Sequence, residues 1–395
     1  MGTLQSFFRA TADLVTGQFP SGGMGRTLSF YDNVPDVPIA RLPGFSQVPE
    51  PSSRFCCAIG WRPSRNLLPD MTATQPMELE SLGHNTHRYG GPSLTIGGLL
   101  NPEQLISRDP VGHLYTARGG VVDIGHVRDH ADLARYLAVK AYASLENGQL
   151  LNLKHEAGRR RVAFLPQGTP PSPRLCALLG ARISYELSIW HEMVTWISPV
   201  ILERQQYSAF SPEDNFSNLL GAYLGFRAIL EPDTDFDTAM SRHLLSALVA
   251  LAPVSKFDTE VAINYVENRW FEYQSENLVL LRRHFDALPT VTPWLVQSIT
   301  IPKKEGLLDR LRQVTFNEAR PISISVPESG PEGGKKLKDY YSLLIEVHSA
   351  SIPRSYLSNN SINPLADEVT PERFPAMINT IKAEVLAEQP HGDQP

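Results

Sequence analysis

Hydrophobic and polar positions follow two periods along this chain, and they change over near residue 125. Residues 113–125, HLYTARGGVVDIG, hold two short apolar runs around a glycine pair, which predicts two strands joined by a turn or bulge. Over 127–146, VRDHADLARYLAVKAYASLE, apolar positions recur three and four apart, which predicts a helix closed by Asn147-Gly148. LLNLKHEAGRRRVAFLP then predicts a hairpin turning at Glu156-Ala157-Gly158. Residues 173–197 are apolar on several sides, which predicts a long central helix. In SPEDNFSNLLGAYLGFRAILE, Ser211 is the expected N-cap, Pro212 suits the first helical position and Asp214 completes a box-like pattern. Two more helices follow in FDTAMSRHLLSALVALA and SKFDTEVAINYVENRWFEYQ, and another in TPERFPAMINTIKAEVLAEQ. ARPISISVPE alternates as a strand and is expected to pair with KDYYSLLIEVHS.

Residues 1–90 are rich in proline, glycine and serine beyond an amphipathic start, and are expected to wrap the rest. Residues 91–310 should form a helix-rich core and 311–395 a strand and helix extension, all within one composite domain. The expected fold class is α+β: a helical core with a few short strands.

Composition narrows the partners. The net charge is −6, with 36 lysines and arginines against 42 acidic residues, so nucleic acid is not expected. Three cysteines, Cys56, Cys57 and Cys176, make no disulfide framework and no zinc-knuckle spacing. No apolar run reaches the roughly 20 residues of a membrane-spanning helix. The first residues lack the pattern of a signal peptide, so a cytoplasmic location is expected. Leu4, Phe7, Phe8, Leu14 and Val15 share a helical face that either docks on the body or touches a membrane surface.

Three clusters carry candidate chemistry. In DIGHVRDHADL, Asp123 stands at a strand-to-helix junction, and His126, Asp129 and His130 share a helix face. Histidines four apart can chelate a metal, but capping by Asp123 and a surface pair Arg128–Asp132 explain the stretch equally well. In YELSIWHEMVTW, the residues Tyr185, Ser188, His191, Glu192 and Thr195 form a polar stripe on an apolar helix, while Glu186 meets Arg182 one turn away. Thr195 stands where a zinc-protease motif needs its second histidine, so that motif is excluded. In SAFSPEDNFSN, Ser211, Glu213, Asp214 and Asn218 crowd a helix start with more polar groups than capping needs.

RFCCAIG, YTARGGVVDIGHVRDHADL, YELSIWHEMVTW, SAFSPEDNFSNLLG and PWL, in this order, resemble the bacterial domain-of-unknown-function 4056 family over about residues 50–310. The resemblance implies that Cys56, Cys57, Asp123, His126, Arg128, Asp129, His191, Glu192, Ser211, Glu213, Asp214 and Asn218 occupy family-pattern positions. His130 is not among them, which speaks against the chelating pair. Many members look like exported lipoproteins; that leader is not expected in this chain, so its compartment need not match theirs. The family implies no reaction.

The expected function is therefore an enzyme, a hydrolase or group transferase, acting on a small-molecule or acyl/peptide-type substrate. His126, His191, Glu192, Glu213, Asp123, Arg128, Asp129, Asp214 and Ser211 are its expected catalytic residues. His126, His191 and Glu213 would be the ligands if zinc, iron or manganese is bound. Arg128 would hold a substrate anion. Two alternatives stand beside this: a thiol hydrolase or acyltransferase using Cys57 and His126, and a binding or scaffold protein without catalysis.

Overall fold

Asp123 ends one element and starts the next. In the computed structural model, strands β2 (His113–Thr116) and β3 (Gly120–Asp123) pair antiparallel, and helix α1 (Ile124–Ser144) follows directly. The structure describes residues 27–32, 34, 36–54, 58–60, 76–82, 87–91, 110–197, 208–274, 277–296, 320–331, 334–347, 352–353, 356 and 367–388. The amphipathic start of the chain, Cys56 and Cys57 lie outside them. The hairpin turns over residues 117–119 and enters β3 at Gly120, whose φ of 64° suits glycine. The Asp123 carboxylate accepts the Gly125 and His126 N–H groups at 2.7 and 3.1 Å, which satisfies two of the donors a helix start leaves open.

Strands β4 (Gln149–Asn152) and β5 (Gly158–Phe164) form the expected hairpin, with Ala157 in the left-handed turn position. Helix α2 (Pro173–Ile197) matches the expected span. Helix α3 is Asp214–Ile229, α4 Phe236–Ala250, α5 Lys256–Val266 and α6 Phe374–Glu388. The first and last of these strands and helices, β1 (Thr27–Leu28) and α6, both belong to the main core with α1, α2 and α3. Leu28, Phe30 and Leu42 of the first region share that core with Leu343, Ile345 and Phe374 of the last. A smaller cluster forms around α5 and the hairpin β6 (Phe271–Gln274)–β7 (Asn277–Leu280).

The C-terminal pairing differs from expectation. Ser323–Ser325 is β9 and pairs with β1 and with β8 (Thr290–Val291). Tyr341–Val347 is β10 and pairs with β5 and with β11 (Asp367–Val369). The two strands were expected to pair because they are neighbours in sequence. Tyr341, Leu343, Ile345 and Val347 are all buried, and β5 offers seven residues of partner register where β9 is three residues long.

Helix α1 lies against both α2 and α3, and α3 is buried on every side. Glycines permit the approach. A Cβ at Gly180 on α2 would sit 2.2 Å from the Ala134 carbonyl oxygen, and one at Gly221 on α3 would sit 2.3 Å from that of Val127. Gly221→Ala is therefore expected to destabilise by about 1–3 kcal/mol, because the obstacle is helix backbone that cannot turn aside. Urea unfolding would measure this, and an unchanged midpoint would show that the helices separate at little cost.

Candidate functional site

A cavity of about 460 Å³ opens where the three central helices meet the β4–β5 hairpin and residues 50–54. Helix α1 contributes His126, Asp129 and His130; α2 contributes His191, Glu192 and Thr195; α3 contributes Asp214 and Asn218. Arg54, Lys154, Glu156 and Arg160 also belong to its polar wall. A wider cavity of about 790 Å³ lies elsewhere, lined by residues that include His284, Asp286 and Trp294, and gathers only one histidine and one carboxylate. Ionisable groups thus converge at the first cavity and not at the larger one.

At its inner end, His126 Nδ1 stands 3.1 Å from Asp214 Oδ1. Burial pushes the Asp214 pKa well above the usual carboxylate range, and the nearby Glu192 and Glu213 charges add to this. His126 only partly offsets the effect. Asp214 Oδ2 accepts the Ser211 N–H at 3.0 Å, which fixes the carboxyl group at the start of α3. Glu192 Oε2 accepts the Phe210 N–H at 2.8 Å.

Behind this face lies a layer that does not line the cavity. Asp123, beyond its cap, faces His113 Nε2 at 3.4 Å, and Glu213 faces the same nitrogen at 3.9 Å. Glu213 also accepts from the Ile59 N–H at 2.6 Å and from the Ser211 hydroxyl at 2.7 Å. Burial opposes charge on His113, but Asp123 and Glu213 outweigh it and raise its pKa. Burial likewise opposes charge on Asp123, which His126 and His113 nonetheless hold below the carboxylate range. His113 therefore stands between two buried acidic groups that both favour its protonated form. Its role is invisible in the strand HLYTA, because both partners come from other elements.

Several expected roles change. Ser211 is not the cap of α3: the helix begins at Asp214, and the Ser211 hydroxyl is given to Glu213. Arg128 and Asp132 are not a surface pair, since both are fully buried. Arg128 does not line the cavity, so it is not placed to hold a substrate anion there. It lies two positions from His126, about 200° around the helix, and so points away. The trio His126, His191 and Glu213 is divided: the histidines line the cavity and Glu213 stands behind it. Among the described residues, no three His, Cys, Asp or Glu side chains are grouped to hold a metal ion. In the stripe on α2, Tyr185 donates to the Ala287 carbonyl and Ser188 to that of Tyr185, which leaves His191, Glu192 and Thr195 at the cavity. His130 faces the Ser184 hydroxyl at 3.1 Å, and burial lowers its pKa to about 3, with His126 adding to the shift.

Arg54 clamps Asp129 through its backbone N–H and guanidinium, both at 2.8 Å, and reaches Asp132 at 2.9 Å. Burial still lifts Asp129 to about 6, against the pull of Arg54. At the mouth, His191 Nδ1 meets Glu156 Oε1 at 2.6 Å, and Arg160 holds the other oxygen at 2.6 Å. Burial opposes both charges of this pair, yet each partner shifts the other: His191 up, Glu156 down. The raised His191 pKa contributes stability below its ordinary value of about 6.5, lost as pH rises through the raised value. The lowered Glu156 pKa contributes above the ordinary carboxylate range, lost as pH falls through the lowered value. The His191 side chain is 50% exposed, so screening limits the pair to at most about 1 kcal/mol. Glu156→Gln is expected to return the His191 titration, followed by NMR, towards its ordinary value. An unmoved titration would remove the pair as its cause.

The family described as Protein of unknown function (DUF4056) matches residues 45–297, more than half of the chain, and the chain belongs to that family. The match includes every wall residue of the cavity. No match was found among the curated proteins or among the solved structures. No helix among the described residues is long and apolar enough to cross a membrane.

Proposed function

We propose that the chain is a general acid–base enzyme, a hydrolase or group transferase, with His126 and Asp214 as its proton-handling pair. The observation that carries this reading is the 3.1 Å contact between His126 Nδ1 and Asp214 Oδ1 in a cavity, where burial raises the Asp214 pKa. In the base form one proton sits on Nδ1 against Asp214 Oδ1, which sets the tautomer, and His126 exchanges protons with substrate through Nε2. In acyl hydrolysis, a water oxygen bonds to the acyl carbon and its proton passes to Nε2. That proton then goes to the leaving oxygen or nitrogen as the acyl bond breaks. No step is routed through a metal, because Glu213, one of the three expected ligands, stands behind the cavity wall. A small-molecule or acyl/peptide-type substrate and a cytoplasmic setting belong to the same proposal.

A thiol route is the second reading. Cys57 immediately precedes Ala58, and Ala58 and Arg54 both line the cavity with His126. One experiment separates the two. Turnover of acyl esters, amides and dipeptides would be screened with wild type, His126→Gln and Cys57→Ser. Activity lost only with His126→Gln supports acid–base hydrolysis by water, loss in both variants supports the thiol, and activity unaffected by His126→Gln overturns both.

A further inference from the structure

The cavity wall divides its charge unevenly, and the division selects a ligand. Its cations have donors turned to the protein itself. Arg54 bonds Asp129, Asp132 and the Arg88 carbonyl; Arg160 bonds Glu156 and the Lys154 carbonyl; Lys154 Nζ donates to the Pro51 carbonyl at 2.7 Å. The inner end is different. Glu192 is almost fully buried, and among the described residues its hydrogen bond is that of the Phe210 N–H to Oε2. Asn218 lies one helical turn beyond Asp214 and is 1% exposed, and its side-chain oxygen has no hydrogen-bond partner among the described residues. An unsatisfied buried acceptor is costly, about 1–3 kcal/mol, unless a ligand completes it. Arg283 is the guanidinium whose field also reaches Glu192 and Asp214, but it donates to the Ala209 carbonyl, lies over the Trp196 ring and does not line the cavity. Among the described residues, acceptors therefore stand at the inner end without a lysine or arginine hydrogen-bond partner on the wall.

From this we infer that the inner end of the cavity binds a protonated amino group of the ligand, held between Glu192 and Asn218. The ligand class is an organic ammonium compound, either a free amine or the N-terminus of a peptide. A group with three N–H donors suits a carboxylate and an amide oxygen together. The inference deepens the acid–base reading, because it places the reacting bond of an amino-bearing substrate near His126.

Calorimetric titration of the full chain tests it with L-alaninamide, L-alanyl-L-alanine and N-acetyl-L-alaninamide. The first two are expected to bind and the acetylated probe, which lacks the ammonium, is not. Glu192→Gln should weaken the amines about 10–100-fold, in line with loss of a charge-assisted bond. Asn218→Asp, which adds charge without removing an acceptor, should tighten them and guards against a Glu192 variant that fails to fold. Tighter binding of the dipeptide than of the amide points to a peptide N-terminus, and equal binding points to a free amine. Equal binding of the acetylated probe, no binding of any probe, or amine binding unchanged by Glu192→Gln would each overturn the inference. So would Glu192-dependent uptake of magnesium or zinc in place of the amines. His126→Gln should keep amine binding while losing turnover, so the inference and the catalytic reading fail separately.

Discussion

Asp132→Ala is expected to destabilise the protein by about 3–5 kcal/mol, the range seen when one partner of a buried ionic group is removed. Asp132 is fully buried on α1 and receives the Arg54 guanidinium at 2.9 Å, the His87 ring at 2.8 Å and the Gly90 N–H at 2.9 Å. Burial alone would raise its pKa, but His87 and Arg54 outweigh burial and hold it low. One carboxylate thus fastens residues 50–54 and 87–91 to the central helix. Its removal takes one of the two carboxylates from Arg54 and the acceptor from His87 Nε2. Because the folded pKa is depressed, this stabilisation is present above the ordinary carboxylate range and lost as pH falls through the lowered value. Urea unfolding at neutral pH, with Asp132→Asn beside it, measures the effect. A loss below about 1 kcal/mol would mean that the strap is held by its other contacts. Residues 50–54 form part of the cavity wall, so the same change should also weaken ligand binding.

His126→Gln is expected to lower kcat/KM about 10²–10⁴-fold, the usual contribution of a positioned acid or base. Glutamine keeps the size and a hydrogen bond to Asp214 but cannot carry a proton between water and leaving group. The helix start should survive, because Asp123 caps it through backbone N–H groups that the substitution leaves intact. Thermal unfolding should therefore move little while turnover collapses. Equal losses of stability and activity would reassign His126 to a structural role, and the acid–base reading would fall with it.

The hairpin of β2 and β3, the span of α2 and the turn at Ala157 were legible in the sequence, because each depends on local period and turn chemistry. The family was legible from ordered motifs. Within the candidate site, Asp123 at the helix start and the shared face of His126 and Asp129 were legible for the same local reason. Their partners were not. Asp129 meets Arg54 across 75 positions of chain and His191 meets Glu156 across 35. His113 and Asp132 gave no local signal, since a strand histidine and a helix aspartate look alike whether exposed or buried.

What the sequence determined by itself is where the elements run and which residue types crowd the starts of α1 and α3. Backbone propensity, capping and periodicity act over a few residues and are written locally. Which carboxylate faces the cavity and which lies behind it was decided by tertiary structure. Glu213 and Asp214 are adjacent in sequence, yet one pairs with His113 in the interior and the other meets His126 at the wall. That difference comes from the close approach of α1 to α3 at Gly221, a contact between segments almost a hundred residues apart that no local pattern encodes.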